Sequence, residues 1–489
     1  MSAAPTLSDA PAPTASGNRS IIAILLVAAF TVILNETTMN VALPAIMADF
    51  DVTERIAQWL TTAFMLTMAV VIPITGWLID RFTTRQVFVT AMVLFCLGTL
   101  VCAVAPSFAL LLTGRIVQAS GTAMMMPLLM TTIMNLVPPH SRGAVLGNIS
   151  LVIAVAPAVG PTLSGFLLQL GSWHFIFLTV LPIALLMLAL GVWKLRNTGD
   201  HRLTPLDPAS IALTALGFGP LIFGMSMLGE GGGGEGGAAW EAPVALVAGL
   251  VFLALFVWRQ LRLQRTDTAL LDLRVFRHGT FTVALTMMAL GMMALFGSVI
   301  MLPLLLQRSF GLEPIQVGLM MLPGGIMMGL IGPIAGRLYD RFGPRVLVIP
   351  ASFVVLGVFW FFSTLTLATP WWAVMLGHMT LSTSFAFMFT PLFTVALGLL
   401  PRPLYSHGSA VVGTIQQVAG AAGTALFVTV FSTMSDAALA QGLPDAAALL
   451  SGSHWAFLFA GGVWVLAVVA SFFVRKPADV DGDLPVGVH

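Results

Sequence analysis

Three ionisable side chains stand where charge is costly. Glu36, Arg115 and His378 each fall inside an apolar run of about twenty residues, the length that crosses roughly 30 Å of hydrocarbon. Within such runs Glu36 is the only carboxylate and Arg115 the only basic group. An arginine keeps its charge because its pKa stays above about 12, so it needs a partner or a water-filled cavity. A carboxylate beside it can accept and release a proton, and a histidine is a second titrating group. That is the chemistry of reversible protonation inside a membrane; a static Glu–Arg pair, with the histidine hydrogen-bonded in a helix interface, is the alternative. At 1.5 Å per residue Glu36 lies about 24 Å from the start of its run, and Arg115 about 10 Å from the opposite face. Those depths put both in one half of the bilayer, and His378, near the same face in its own run, falls at a similar level.

The elements that position them must be membrane helices. Of 489 residues 58% are hydrophobic and 8% charged, too few polar groups to cover a water-soluble globule of this size. The net charge of +1 excludes a strongly basic nucleic-acid binder. Lys194 and Lys476 are followed by Leu195 and Pro477, so no phosphate-binding loop of the Walker type exists and no nucleotide is expected. Cys96 and Cys102, on different faces of one predicted span, read as inert core thiols with neither a disulfide nor a metal site. No cofactor is implied. Apolar runs are expected as fourteen spans near 20–43, 57–79, 86–105, 108–136, 143–169, 173–193, 207–228, 242–258, 280–306, 315–336, 345–367, 371–400, 407–433 and 454–474. If the amino terminus is cytoplasmic, Arg55 and Arg308 fall outside, Arg115 lies within a span, and every other Lys and Arg of the twenty-one shares the cytoplasmic side. This asymmetry obeys the positive-inside rule and puts both termini in the cytoplasm.

The chain is also a duplication. Gly76-Trp-Leu-Ile-Asp80-Arg81-Phe-Thr-Thr-Arg85 returns as Gly336-Arg-Leu-Tyr-Asp340-Arg341-Phe-Gly-Pro-Arg345, each copy a tight charged turn between two spans. Because the turns follow spans 2 and 10, two spans must be inserted between six-helix halves. The expected organisation is a cytoplasmic tail 1–19, a first half 20–196, the inserted spans and linker 197–279, a second half 280–475 and a tail 476–489. A glycine-rich stretch, Glu230 to Gly237, joins the inserted spans and reads as a solvated external loop.

With these motifs in view the chain resembles the major facilitator superfamily, and within it the fourteen-span drug:proton antiporters of the lincomycin-resistance type. The resemblance implies an all-α polytopic membrane protein of that fold. It makes Gly76, Asp80, Arg81, Arg85, Gly336, Asp340, Arg341 and Arg345 a cytoplasmic gate that latches helix ends. Thr83, standing where the second copy has Gly343, is expected to weaken the first turn. Leu112-Thr-Gly-Arg115-Ile-Val-Gln118 is similar to the family's second motif, and Asn35-Glu36-Thr-Thr-Met-Asn40 to its first-span motif. The family's aspartate is replaced there by Asn35, and the acid comes one residue later, about 100° round the helix. Pro157, Gly160, Pro161 and Gly165 resemble the antiporter motif of span 5, expected to bend that helix and pack it as a hinge against the other half.

The resemblance places Glu36, Arg115 and His378 in one water-accessible pocket for proton coupling. Asn35, Asn40, Gln118, Met292, Phe385, Phe389 and Gln416 are the expected substrate cavity, the methionine and phenylalanines a soft wall for lipophilic compounds. Gln416 could bond substrate or merely join helices. The function implied is proton-coupled export of hydrophobic or cationic drugs across a bacterial cytoplasmic membrane, with small molecules, protons and lipid as partners. Export of an endogenous metabolite such as an amino acid or siderophore, or coupling to sodium, fits the same motifs, whereas an enzyme would need a constellation the spans lack.

Overall fold

The structure is a computed structural model that describes residues 15–197, 205–229 and 240–475. The expected external loop, Arg202, Lys476 and most of both tails lie outside the described residues. Among those described there are helices and no strands. The helices are α1 (Ala15–Phe50), α2 (Glu54–Arg81), α3 (Thr84–Ala103), α4 (Phe108–Leu136), α5 (Arg142–Leu146), α6 (Ile149–Leu170), α7 (His174–Lys194), α8 (Pro208–Gly229), α9 (Glu241–Leu263), α10 (Gly279–Arg308), α11 (Pro314–Phe342), α12 (Arg345–Phe362), α13 (Trp371–Gly398), α14 (Tyr405–Ala440) and α15 (Asp445–Ser471). Thirteen of these are long and apolar enough to cross a membrane. In the place of the fifth expected span stand the short α5 and then α6, whose described apolar stretch is Val155–Leu170. Helix α1 already begins at Ala15, inside the expected tail.

Apolar composition drives the helices into lipid, where every backbone group must be bonded within its own segment; small residues then decide how closely they pack. Helices α3 and α4 meet backbone to backbone, since a Cβ on Gly114 would lie 2.7 Å from Cys102 Sγ and one on Gly121 2.7 Å from the Phe95 nitrogen. Both cysteines are buried and free. Gly160 of α6 packs against Thr37 of α1, whereas a Cβ on Gly165 would meet nothing within 4 Å. The antiporter stripe therefore docks in part on its own half. Contact with the other half is made by α6 along α11 and, just before it, by Gly147, which lies against Gly332 and Pro333 of α11.

The inserted helices form a hairpin, and α8 packs on both α2 and α14. Phe218, Leu221, Ile222 and Met225 share a buried cluster with Ala69 and Ala425, and Thr429 donates to the Leu228 carbonyl at 3.3 Å. The insert covers one seam between the halves.

Candidate functional site: an interior arginine and two end latches

Four helices converge on Arg115, which is 1% exposed. Its Nη1 donates to Gln118 Oε1 at 2.6 Å and to Asn35 Oδ1 at 3.4 Å. Gln118 passes the chain on, its Nε2 donating to Thr99 Oγ1 of α3 at 2.7 Å. The Phe64 ring of α2 lies 4.1 Å from the guanidinium carbon, a cation–π contact that partly replaces water. One turn separates Arg115 from Gln118 on α4, so both face the same way.

The one-residue displacement in α1 therefore has a defined outcome. Asn35, buried, is the residue that meets the arginine. Glu36 is partly exposed and feels the Arg115 charge, yet among the described residues no ion pair holds it. A carboxylate in that position can change protonation state without breaking a salt bridge. Asn35 Nδ2 and Arg115 Nε are buried without a protein partner, and buried donors of this kind call for water or an acceptor on a bound solute.

His378 lies elsewhere, in the interface between α13 and α11. It bonds the Met321 backbone, its ring fills the space beside Gly324, where a Cβ would lie 2.7 Å from Nε2, and its Nδ1 has no partner. None of the described hydrogen bonds or ion pairs joins it to Glu36 or Arg115. Phe385 and Phe389 stack at 5.6 Å and continue into Trp464, 5.8 Å from Phe385, so both rings are packed on all sides within the second half. Met292 is buried there too, and Gln416 Nε2 is buried without a partner. The side chains of Asn40 and Pro161 lie outside the described residues. Among the described residues no group of three or more His, Cys, Asp or Glu could hold a metal.

The repeated turns build two latches at one end of the bundle. Asp80, ending α2, accepts from Ser406 Oγ at the start of α14, and His407 Nε2 lies 3.1 Å from its other oxygen. Asp340, ending α11, accepts instead from backbone: Gly143 N–H at 3.0 Å and Ala144 N–H at 2.9 Å, in the first turn of α5. Arg142 ties the two sites together, donating to the Val137 and Met134 carbonyls at the end of α4 while facing the Tyr405 ring of α14. Arg345 donates to the Val474 and Phe472 carbonyls beyond α15, while Arg85 is exposed. Ser406, Gly143 and Ala144 were invisible as gate partners in sequence, because they belong to helices distant in the chain.

Thr83 does not weaken its turn. It has φ −66° and is the N-cap of α3 in a capping box, with its own N–H donating to Gln86 Oε1 at 3.0 Å and its hydroxyl accepting from Gln86 N–H at 3.2 Å. Gly343 has φ 79° and ψ 178°, a region nearly restricted to glycine. The two turns reach the same layout by different local geometry.

Two six-helix sets around a polar interior, with paired turns at one end, define a membrane transporter rather than an enzyme. The model of the Major Facilitator Superfamily matches residues 25–424, and the chain belongs to that superfamily. The lincomycin resistance protein LmrB of Bacillus subtilis (strain 168) is 38% identical over 93% of this chain and 95% of its own. LmrB of Listeria monocytogenes (strain EGD-e) is 39% identical over 93% and 96%, and a multidrug resistance protein B homolog of Mycobacterium tuberculosis 30% identical over 87% and 82%. Among solved structures, the human organic anion transporter MFSD10 superposes with TM-score 0.66 over 93% of this chain and 99% of its own. The proton:xylose symporter XylE does so with TM-score 0.63 over 94% and 96%. Both are 15% identical and speak to the fold alone.

Proposed function

We propose that this protein is a proton-coupled drug exporter of a bacterial cytoplasmic membrane. The observation that carries the reading is Glu36: a partly exposed carboxylate inside the first half, near a buried arginine and in no ion pair among the described residues. Relatives named for lincomycin and multidrug resistance support drugs as the cargo. In the cycle we infer, Glu36 takes a proton from the outer side as drug leaves, and loses it to the cytoplasm as drug binds. A solute drives such a cycle only by binding the two states unequally. Arg115, held by Asn35, Gln118 and Phe64, supplies a fixed positive field, and its free Nε and Asn35 Nδ2 offer donors to water or cargo. The latches sit on the cytoplasmic side, α6 is the fifth span and brings the total to fourteen, and the two six-helix halves rock about the seams where α2 meets α14 and α5 with α6 meets α11.

The test uses proteoliposomes with an imposed pH gradient and a lipophilic fluorescent cation. Wild type is expected to transport only with the gradient, and Glu36→Gln to bind the cation without gradient-driven transport. Gradient-driven transport by the variant would remove Glu36 from the coupling role and leave His378 as the remaining interior candidate. Indifference of the wild type to the gradient would end the proton-antiport reading for that cation.

A further inference from the structure

A second feature at the latch end concerns the linker after the inserted hairpin. The linker turns back across α14, and the backbone N–H of Asp272 donates to His407 Nδ1 at 3.3 Å. Because a backbone N–H can only donate, Nδ1 must be the accepting nitrogen, which leaves the ring hydrogen on Nε2, facing the Asp80 carboxylate at 3.1 Å. The neutral ring thus joins three elements, α2, α14 and the linker, with both nitrogens used.

The linker is anchored from the other side by the hairpin. Leu271 N–H donates to Gln260 Oε1 at 3.2 Å, Gln260 Nε2 to Ser210 Oγ at 2.7 Å, and Ser210 is bonded to Asp207, which Arg259 grips at 2.6 and 2.7 Å. A continuous hydrogen-bonded path therefore runs from the inserted hairpin through residues 271–272 to His407 and the first latch. At the second latch Asp340 accepts instead from the backbone N–H groups of Gly143 and Ala144.

We propose that His407 is a proton-operated clasp by which the inserted hairpin and its linker hold the α2–α14 latch. Protonating Nδ1 turns an acceptor into a donor pointed at the Asp272 N–H, so the linker bond is lost while the charged ring is drawn more strongly to Asp80. The charged groups around the ring fit this exchange. Asp80 faces it from α2, with Arg81 one residue on; Asp272 faces it from the linker; Arg142 lies beyond Tyr405 at the start of α14. Asp272 is not free to turn and receive the new hydrogen, because Arg274 holds its carboxylate through Nε at 2.8 and 3.0 Å and through its backbone N–H at 2.9 Å. Burial raises the Asp272 carboxyl, but these bonds outweigh it and keep the group below the usual carboxylate range. Asp207 is drawn down to about 2 chiefly by the Arg259 hydrogen bonds, so the hairpin anchor stays ionised while a histidine titrates. Gly76 leaves room for the ring, since a Cβ there would lie 3.2 Å from His407 Nδ1. The sign follows: the linker is held while the ring is neutral and released once Nδ1 is protonated. The clasp is independent of which solute is carried and of the role of Glu36.

The test is hydrogen–deuterium exchange on the full-length protein in lipid nanodiscs, read on peptides covering 267–277 and corrected for the intrinsic pH dependence of exchange. Between about pH 8 and about pH 5.5, which bracket histidine titration, wild type should exchange there about threefold to tenfold faster at the acid end, the net worth of one hydrogen bond. His407→Gln keeps a donor for Asp80 and an acceptor for Asp272 N–H without titrating, and should stay protected at both values. Asp80→Asn removes the charge that favours the protonated ring and should move the midpoint of release to lower pH, which keeps the proposal testable if His407→Gln fails to fold. The same acid-induced exchange in His407→Gln, an unmoved midpoint in Asp80→Asn, or no pH response in wild type would overturn it.

Discussion

The two latches come from one duplicated motif and differ in what they grip. Asp340 receives two backbone N–H groups at the start of α5, a docking of a carboxylate on main-chain donors that do not titrate. Asp80 receives the side chains of Ser406 and His407, and through His407 it reaches the inserted hairpin. The packing differs in the same sense. Gly336 lies against the backbone of Gly143 and Ala144, whereas Gly76 lies against a histidine ring and the Ala410 methyl at 3.3 Å. One seam is fixed by main chain and the other by side chains that can move or titrate. Duplication supplies two equivalent positions, and partner chemistry decides which one is adjustable.

Substitutions can break that contrast. The largest effect is expected from Gly336→Ala, which sets a methyl against main chain that cannot swing aside and should cost about 3 kcal/mol of stability. Gly76→Ala meets only the ring and a methyl and should cost under about 1 kcal/mol, so equal drops in melting temperature would refute the distinction. Gly343→Thr follows, at about 2 kcal/mol, because its φ and ψ suit glycine alone. The reciprocal Thr83→Gly should cost less, since glycine is an acceptable N-cap. Next, Asp340→Asn turns an amide N–H toward a backbone N–H and should destabilise by about 1–2 kcal/mol, by an amount that changes little between about pH 5.5 and pH 8 because its two backbone donors do not titrate. The loss in Asp80→Asn should instead grow as pH falls, because a protonated His407 loses its counter-charge; denaturation followed against pH separates the two. The smallest is Asp207→Asn. The Arg259 pair keeps Asp207 ionised down to about pH 2, so its contribution is present throughout the neutral range and is lost only as pH falls toward that value. The variant should loosen linker residues 271–272 without altering the pH at which His407 lets go, and a shifted midpoint would argue against a purely mechanical anchor.

Much of this molecule was set by local sequence. Apolar runs of spanning length produce the helices wherever they occur, because an unbonded backbone cannot lie in lipid. The repeated Gly-Asp-Arg turn announced the duplication, and the spacing of the copies announced the insert. Motif resemblance selected Asp80, Asp340 and Arg115 one by one, and Glu36 stood out as the only carboxylate within the apolar runs. What those residues touch was not legible. Whether Asn35 or Glu36 meets Arg115 depends on the rotation of α1 against α4, which neighbouring helices fix and periodicity in an almost wholly apolar helix does not. Residue counting puts His378 at the level of Glu36, yet depth along a helix says nothing about its facing, and the ring is taken up by the space beside Gly324. Phe385 and Phe389 read as cavity wall because aromatic residues suit a lipophilic pocket, but the same rings suit a core equally well, and their stacking into Trp464 closes them off. The partners of the latches lie tens to hundreds of residues away in sequence, so only helix packing could bring His407, Asp272 and Asp80 to one point. Sequence determined what the chain must bury and where it must turn; tertiary structure decided which polar atoms meet, because hydrogen bonds depend on orientation to within an ångström and hydrophobic burial does not.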